Sequence, residues 1–289
     1  MSQAPSVSFA VGLPQLGKVV GGIVAPTTLL TALLFYFGWQ RGYWFYDYLG
    51  VDTTVLGLST ADYLRLAVDG LFVPLIVCAF LLLLVLWVRP LLRGKASARL
   101  PLICLIAGAV LGGLGLLSVF VEPLRDRIEL AAPLGLACGV LLLSYRVHLS
   151  RPPASADVLD LRRVVEWAGV FVVVGICLFW AATDYSSAVG RSRAEQFVAE
   201  MPGYPGAVVY STGGLNLHAP GVTETRCGGT DPLYRFRYDG LTLVLQSDDQ
   251  YLLLPTAWTQ SRGTAVLLPR NDAVRLEFTR GPAIGVPGC

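Results

Sequence analysis

The residues that could do chemistry in this chain are few and scattered. His148 and His218 are its two histidines. Neither has a His, Cys, Asp or Glu at the short spacing by which zinc sites gather ligands. The patterns G-x-x-x-x-G-K-[ST], G-x-S-x-G and H-E-x-x-H do not occur. The Gly pairs at 21–22, 213–214 and 228–229 lack the strand-to-helix context of a phosphate loop. No catalytic residue, cofactor site or metal ligand is therefore predicted, and the chain reads more readily as non-enzymatic than as an enzyme. Asp248 and Asp249 read as turn residues and His218 as a strand-end residue.

Three groups of residues remain as candidates. Asp69 and Glu129 lie near the starts of apolar segments, where an ionisable group inside a membrane marks a functional site by default. A plainer reading pairs each with an arginine four residues earlier, Arg65 and Arg125, in a first helical turn that favours negative charge. Glu166 stands in the same relation to Arg162. Arg235 and Arg237 alternate with Tyr234, Phe236 and Tyr238, which offers either a face for an anionic partner or a solvated sheet face. Cys227 and Cys289 lie in the polar C-terminal part and can form a disulfide if that part is outside the cell. The other four cysteines, Cys78, Cys104, Cys138 and Cys177, each sit in a different apolar block and read as small hydrophobes.

These residues must be positioned by two very different kinds of chain. Of the 289 residues 54% are hydrophobic and the mean hydropathy is +0.59, but the excess lies before residue 183. A bilayer core of ~30 Å needs about 20 apolar residues in a helix. Five stretches qualify, at 19–38, 66–88, 100–121, 128–147 and 164–182. Backbone groups in lipid must be satisfied internally, so each is expected to be helical. The first is not read as a signal peptide, since only Lys18 precedes it and no small-x-small site follows.

Loop charge orients the spans. Arg89, Arg93, Lys95 and Arg99 fall in one connection and Arg146, Arg151, Arg162 and Arg163 in another. Both are cytoplasmic under the positive-inside rule, which places the amino terminus inside and the C-terminal part outside. A formal net charge of +2 argues against a nucleic-acid partner. The cluster Trp39, Tyr43, Trp44, Phe45, Tyr46 and Tyr48 suits an outer interfacial belt, with an aromatic lipid- or glycan-binding platform as the alternative. Gly108 with Gly112, and Gly135 with Gly139, let the third and fourth helices approach closely, against each other or across a homo-oligomer. Ser59 and Asp62 suit a capping box for the second helix.

Beyond the fifth span, Ala194, Phe197, Val198 and Met201 recur at helical spacing and predict a stalk, which MPGYPG ends. From residue 206 the pattern becomes strands: AVVYS, LNLHA, LYRFRY, LTLVLQ, QYLLLP, TAVLLP and AVRLEF. Asp239-Gly240 predicts a hairpin. The expected architecture is an all-α bundle of about five transmembrane helices plus a small all-β domain, an antiparallel meander folded as a sandwich or half-barrel. The expected organisation is a membrane domain over 1–182, a stalk over 183–205 and an extracytoplasmic β domain over 206–289.

The stretch FGWQRGYWFYDYLGVDTTVLGLSTADYL and the later YRFRYDGLTLVLQSDDQYLLLP resemble uncharacterised polytopic membrane proteins of actinobacteria. That resemblance implies no activity and carries over no functional residue. The expectation is a sensor, scaffold or accessory subunit in the cytoplasmic membrane, whose partners are the bilayer and another membrane protein or envelope component. The alternative is a transporter or channel subunit that uses Asp69 and Glu129.

Overall fold

Long apolar runs leave the backbone to satisfy its own hydrogen bonds, and among the described residues five long helices result. The computed structural model describes residues 13–92, 100–120, 130–149, 161–228, 232–247 and 249–280. The helices are α1 (Leu13–Tyr48), α2 (Thr60–Leu92), α3 (Leu100–Phe120), α4 (Ala131–Leu149) and α5 (Leu161–Glu200). Pro26 and Pro74 lie inside α1 and α2, which continue past them. Among the described residues, α4 and α5 are long and apolar enough to cross a membrane. Glu129, Asp248 and Cys289 lie outside the described residues, as does the side chain of Asp69.

The chain forms two compact units, Met1–Tyr36 with Trp87–Ala182 and Phe37–Leu86 with Thr183–Cys289. In the first, α3 packs antiparallel on α4 through glycines. A Cβ built on Gly139 would lie 2.5 Å from the Gly112 nitrogen and 2.9 Å from the Gly108 oxygen. Both small-residue faces are thus used within the chain. Around them the large side chains point outward: Val110, Leu116, Val172 and Ile176 are all more than half exposed.

In the second unit, α1 runs ten residues beyond the expected span, through the aromatic cluster, before Gly50 ends it at φ +77°. A 3-10 turn follows (Thr53–Leu56), capped by the Asp52 carboxylate, which accepts from the Thr54 N–H at 2.8 Å. Ser59 and Asp62 then exchange bonds as expected: the Ser59 N–H donates to Asp62 Oδ2 at 3.0 Å, and the Asp62 N–H to Ser59 Oγ at 3.3 Å. The Ser59 hydroxyl, which donates to Asp62 Oδ2 at 2.7 Å, and then the Ser59 N–H hold the Asp62 carboxyl below the usual carboxylate range. Their stabilisation is present above the ordinary Asp value, about 3.9, and is lost as pH falls through the lowered one.

Among the described residues the C-terminal part is one six-stranded antiparallel sheet, not a two-sheet sandwich. Its strands are β1 (Gly206–Ser211), β2 (Thr223–Arg226), β3 (Phe236–Gln246), β4 (Gln250–Pro255), β5 (Val266–Pro269) and β6 (Val274–Thr279). The order β5-β4-β3-β1-β6 departs from a simple meander because β6 returns beside β1. β2 pairs with residues 236–239 of β3 and β4 with residues 241–246, so the two share one edge of β3. The segment LNLHA, expected as a strand, is irregular and covers one sheet face. Its Leu215 and Leu217, with Val222, pack on Val209, Tyr238, Leu241 and Leu253. The Leu215 N–H donates to the Tyr238 hydroxyl at 2.7 Å.

The hairpin expected at Asp239-Gly240 does not form; β3 runs straight through it. Gly240 has φ +85° and sits where the pairing with β1 slips between Ala207 and Val209. Asp-Gly signals a positive φ, which a β-bulge needs as much as a tight turn does. The bulge brings Gly221 so near that a Cβ on Gly240 would lie 1.9 Å from its carbonyl oxygen. Gly240→Ala should therefore destabilise the sheet by about 2 kcal/mol or more, combining backbone strain with a clash. Hydrogen exchange of β2, β3 and β4 in the full-length protein should rise together; unchanged exchange would refute the bulge.

Candidate functional site

The candidate groups fall at three places, which the structure resolves differently. The first lies where the C-terminal part of α1, the start of α2 and the second half of α5 meet. Small residues allow the close approach. A Cβ on Gly38 would lie 1.9 Å from the Tyr63 carbonyl oxygen. Arg41 enters this junction and is only 7% exposed. Its Nη1 donates to the Leu66 carbonyl. The Tyr185 hydroxyl donates to the Gly70 carbonyl at 3.1 Å, and its ring stacks on Phe37 at 5.6 Å. Arg191 lies 4.2 Å over the ring of Trp44, whose buried indole N–H has no hydrogen-bond partner among the described residues. Sequence reading missed Arg41 because it ended the first span at residue 38, whereas α1 runs on to Tyr48. The available signal was an arginine inside an aromatic run that continues an apolar helix.

The second place is the sheet face that carries β1 residues Val208 and Tyr210. Arg237 of β3 and Arg275 of β6 pair with Tyr210 in register from either side. Their guanidinium carbons lie 5.9 and 6.0 Å from its ring centroid. Arg237 bonds Asp239 at 2.8 Å, and Arg275 bonds Glu277. Two cations and two anions face each other, so the patch has no net charge to draw an anion. Arg235 is exposed, whereas Arg237 is 5% exposed. Burial raises the Tyr210 hydroxyl above its ordinary value, and Arg237 partly offsets this.

The third place is a half-open cavity of ≈480 Å³ between α4 and α5. His148 and Glu166 line it together with Ser144 and Trp167. These residues are far apart in sequence, and no local spacing announces them. His218, by contrast, is exposed in the irregular segment after β1. Comparison with protein-family models, with curated proteins and with solved structures returns no match. Among the described residues no group of three or more His, Cys, Asp or Glu side chains is placed to hold a metal ion.

Cys104, Cys138 and Cys177 are free thiols. Cys227 is disulfide-bonded; the partner expected from the sequence, Cys289, lies outside the described residues. The Cys227 N–H also donates to the Arg235 carbonyl at 3.0 Å, continuing the β2–β3 pairing.

Arg41 is a buried charged group that bonds a backbone carbonyl. Hydrogen bonds to charged groups contribute ~1.5–3 kcal/mol, and truncation also removes buried packing. Arg41→Ala should lower the thermal unfolding midpoint and raise exchange of the α2 amides at 62–70. Arg41→Lys, which keeps the charge but not the planar fork, should recover only part of the loss. An unchanged midpoint in Arg41→Ala would refute this role.

Proposed function

We propose that the protein is a five-span protein of the cytoplasmic membrane, amino terminus inside, that holds its C-terminal sheet outside as a sensing, scaffolding or accessory module. The observation that carries this is an apolar core in the second unit that helix ends and sheet share. Tyr46, Leu49, Val51 and Leu56 from the end of α1 and its connection pack with Met201 beyond α5. Leu252, Leu254 and Trp258 from β4 and its exit complete it. The sheet is thereby mounted on helix ends. A tethered domain on a loose linker would leave those ends polar.

Helix length agrees. At ~1.5 Å per residue, the 36 residues of α1 and 40 of α5 are longer than a ~30 Å bilayer core requires. The surplus is the part that joins the second unit. Exposure agrees as well. Only 22% of the apolar window in α4 and 17% of that in α5 are buried, whereas the core helix of a soluble protein is mostly buried. Such outward apolar surface needs lipid or a partner to cover it. The transport reading keeps one observation in its favour, the buried Arg41 beside α2, with Asp69 and Glu129 as its expected acids.

The reading is tested in intact cells with a membrane-impermeant thiol reagent. A cysteine introduced at exposed Asp249 should be labelled, and one introduced at Lys95 protected; the reverse pattern would overturn the orientation. Purified in mild detergent, the full-length protein should carry a reproducible membrane or envelope partner. Isolation alone in every preparation would remove the scaffold role and leave the transport reading, in which Asp69→Asn abolishes flux.

A further inference from the structure

A strand at the end of a sheet leaves a row of backbone groups without a neighbour, a template for another strand. β6 holds that place in the order β5-β4-β3-β1-β6. β5, at the other end, is four residues long and stops at Pro269, which suits a protected edge. β6 has six residues, Val274–Thr279, and no proline. The Thr212 N–H donates to the Ala273 carbonyl at 3.1 Å, and the register with β1 continues from that pair. By alternation, residues 275, 277 and 279 also bond toward β1, and the N–H and C=O groups of Val274, Leu276 and Phe278 point to the outer edge. Among the described residues no strand pairs with that edge. Phe278 is 58% exposed there.

The sequence of β6 is complementary to itself. In an antiparallel pair centred on Leu276, Leu276 meets its counterpart and Val274 meets Phe278, all through the outward backbone groups. Arg275 then stands opposite Glu277, and beyond the strand ends Asp272 stands opposite Arg280. Arg275 and Glu277 also bond within the strand, so two copies close a ring of alternating charges. Sliding the pair by two residues in either direction sets Arg275 against Arg275 or Glu277 against Glu277, and like charges directly opposite are destabilising. The two-fold axis of such a pair is perpendicular to the sheet. The face that packs on the helix ends through Leu252 and Leu254 is then the same in both copies, as two chains in one membrane require. We propose that β6 is a dimer edge whose partner is β6 of a second copy of this chain, so that two six-stranded sheets become one.

The test uses the full-length chain, first in membranes and then in mild detergent. Cα atoms of a directly opposed, hydrogen-bonded pair lie about 5.5 Å apart, within the range that a disulfide spans. Leu276→Cys should therefore give an oxidised dimer in the membrane that wild type, with its own cysteines, does not. In detergent, wild type should be dimeric by light scattering. Arg275→Glu alone and Glu277→Arg alone should each weaken the dimer about tenfold or more, since both opposed pairs turn from attraction to repulsion. The exposed ion pair contributes little to the fold, so both variants should still fold. Two differently tagged chains, one carrying each variant, should pair again when coexpressed, because every facing charge is then opposite. That recovery cannot come from the ion pair within a strand, which both variants lack. A monomeric wild type, no cross-link at residue 276, single variants as dimeric as wild type, or single variants that fail to pair with each other would overturn the proposal.

Discussion

The packing of Leu252, Leu254 and Trp258 against Tyr46, Leu49, Leu56 and Met201 is the contact on which the second unit depends. The sheet is small, and the unfolded chain it competes with loses about 1–2 kcal/mol per ordered residue in backbone entropy alone. A domain of this size buries a modest fraction of its surface by itself. Burying β4 on helix ends that are themselves held in long helices supplies the missing apolar contact. The irregular segment with Leu215, Leu217 and Val222 closes the opposite face. One sheet thus has an apolar cover on each side without needing a second sheet.

That mounting also explains local details. Asp52 and the Ser59–Asp62 pair cap the 3-10 turn and the start of α2, so the short connection after α1 is fixed at both ends. Burial raises the Tyr46 hydroxyl far above the usual tyrosine range, in keeping with a ring that is 4% exposed in the shared core. The bulge at Gly240 serves the same purpose from the sheet side. It lets β3 pair with β2 along one half and with β4 along the other, and β4 carries the residues that meet the helices.

The helices were legible in the sequence because their signal, an unbroken apolar run, is local. Their ends were not. Residues 39–48 read as an interfacial belt after a span, yet they continue the helix because Tyr46 and its neighbours pack against the sheet. The short apolar runs in AVVYS and QYLLLP located β1 and β4. TETR escaped because all four residues of β2 are exposed and leave no apolar trace. LNLHA deceived for the opposite reason: its leucines alternate to cover a sheet face without joining the sheet. The candidate sites divide in the same way. The Arg235 and Arg237 pattern was visible, but their unequal burial was not. The meeting of His148 with Glu166 joins two helices and has no local spacing to betray it.

If the sheet is mounted through one core, loosening it on the sheet side must be felt on the helix side. Hydrogen exchange of the full-length protein in lipid nanodiscs, compared between wild type and Leu254→Ala, measures this directly. The account predicts faster exchange in the β4 peptides together with residues 46–58 and 197–203. A change confined to residues 250–258 would contradict it, and the sheet would then be a tethered domain.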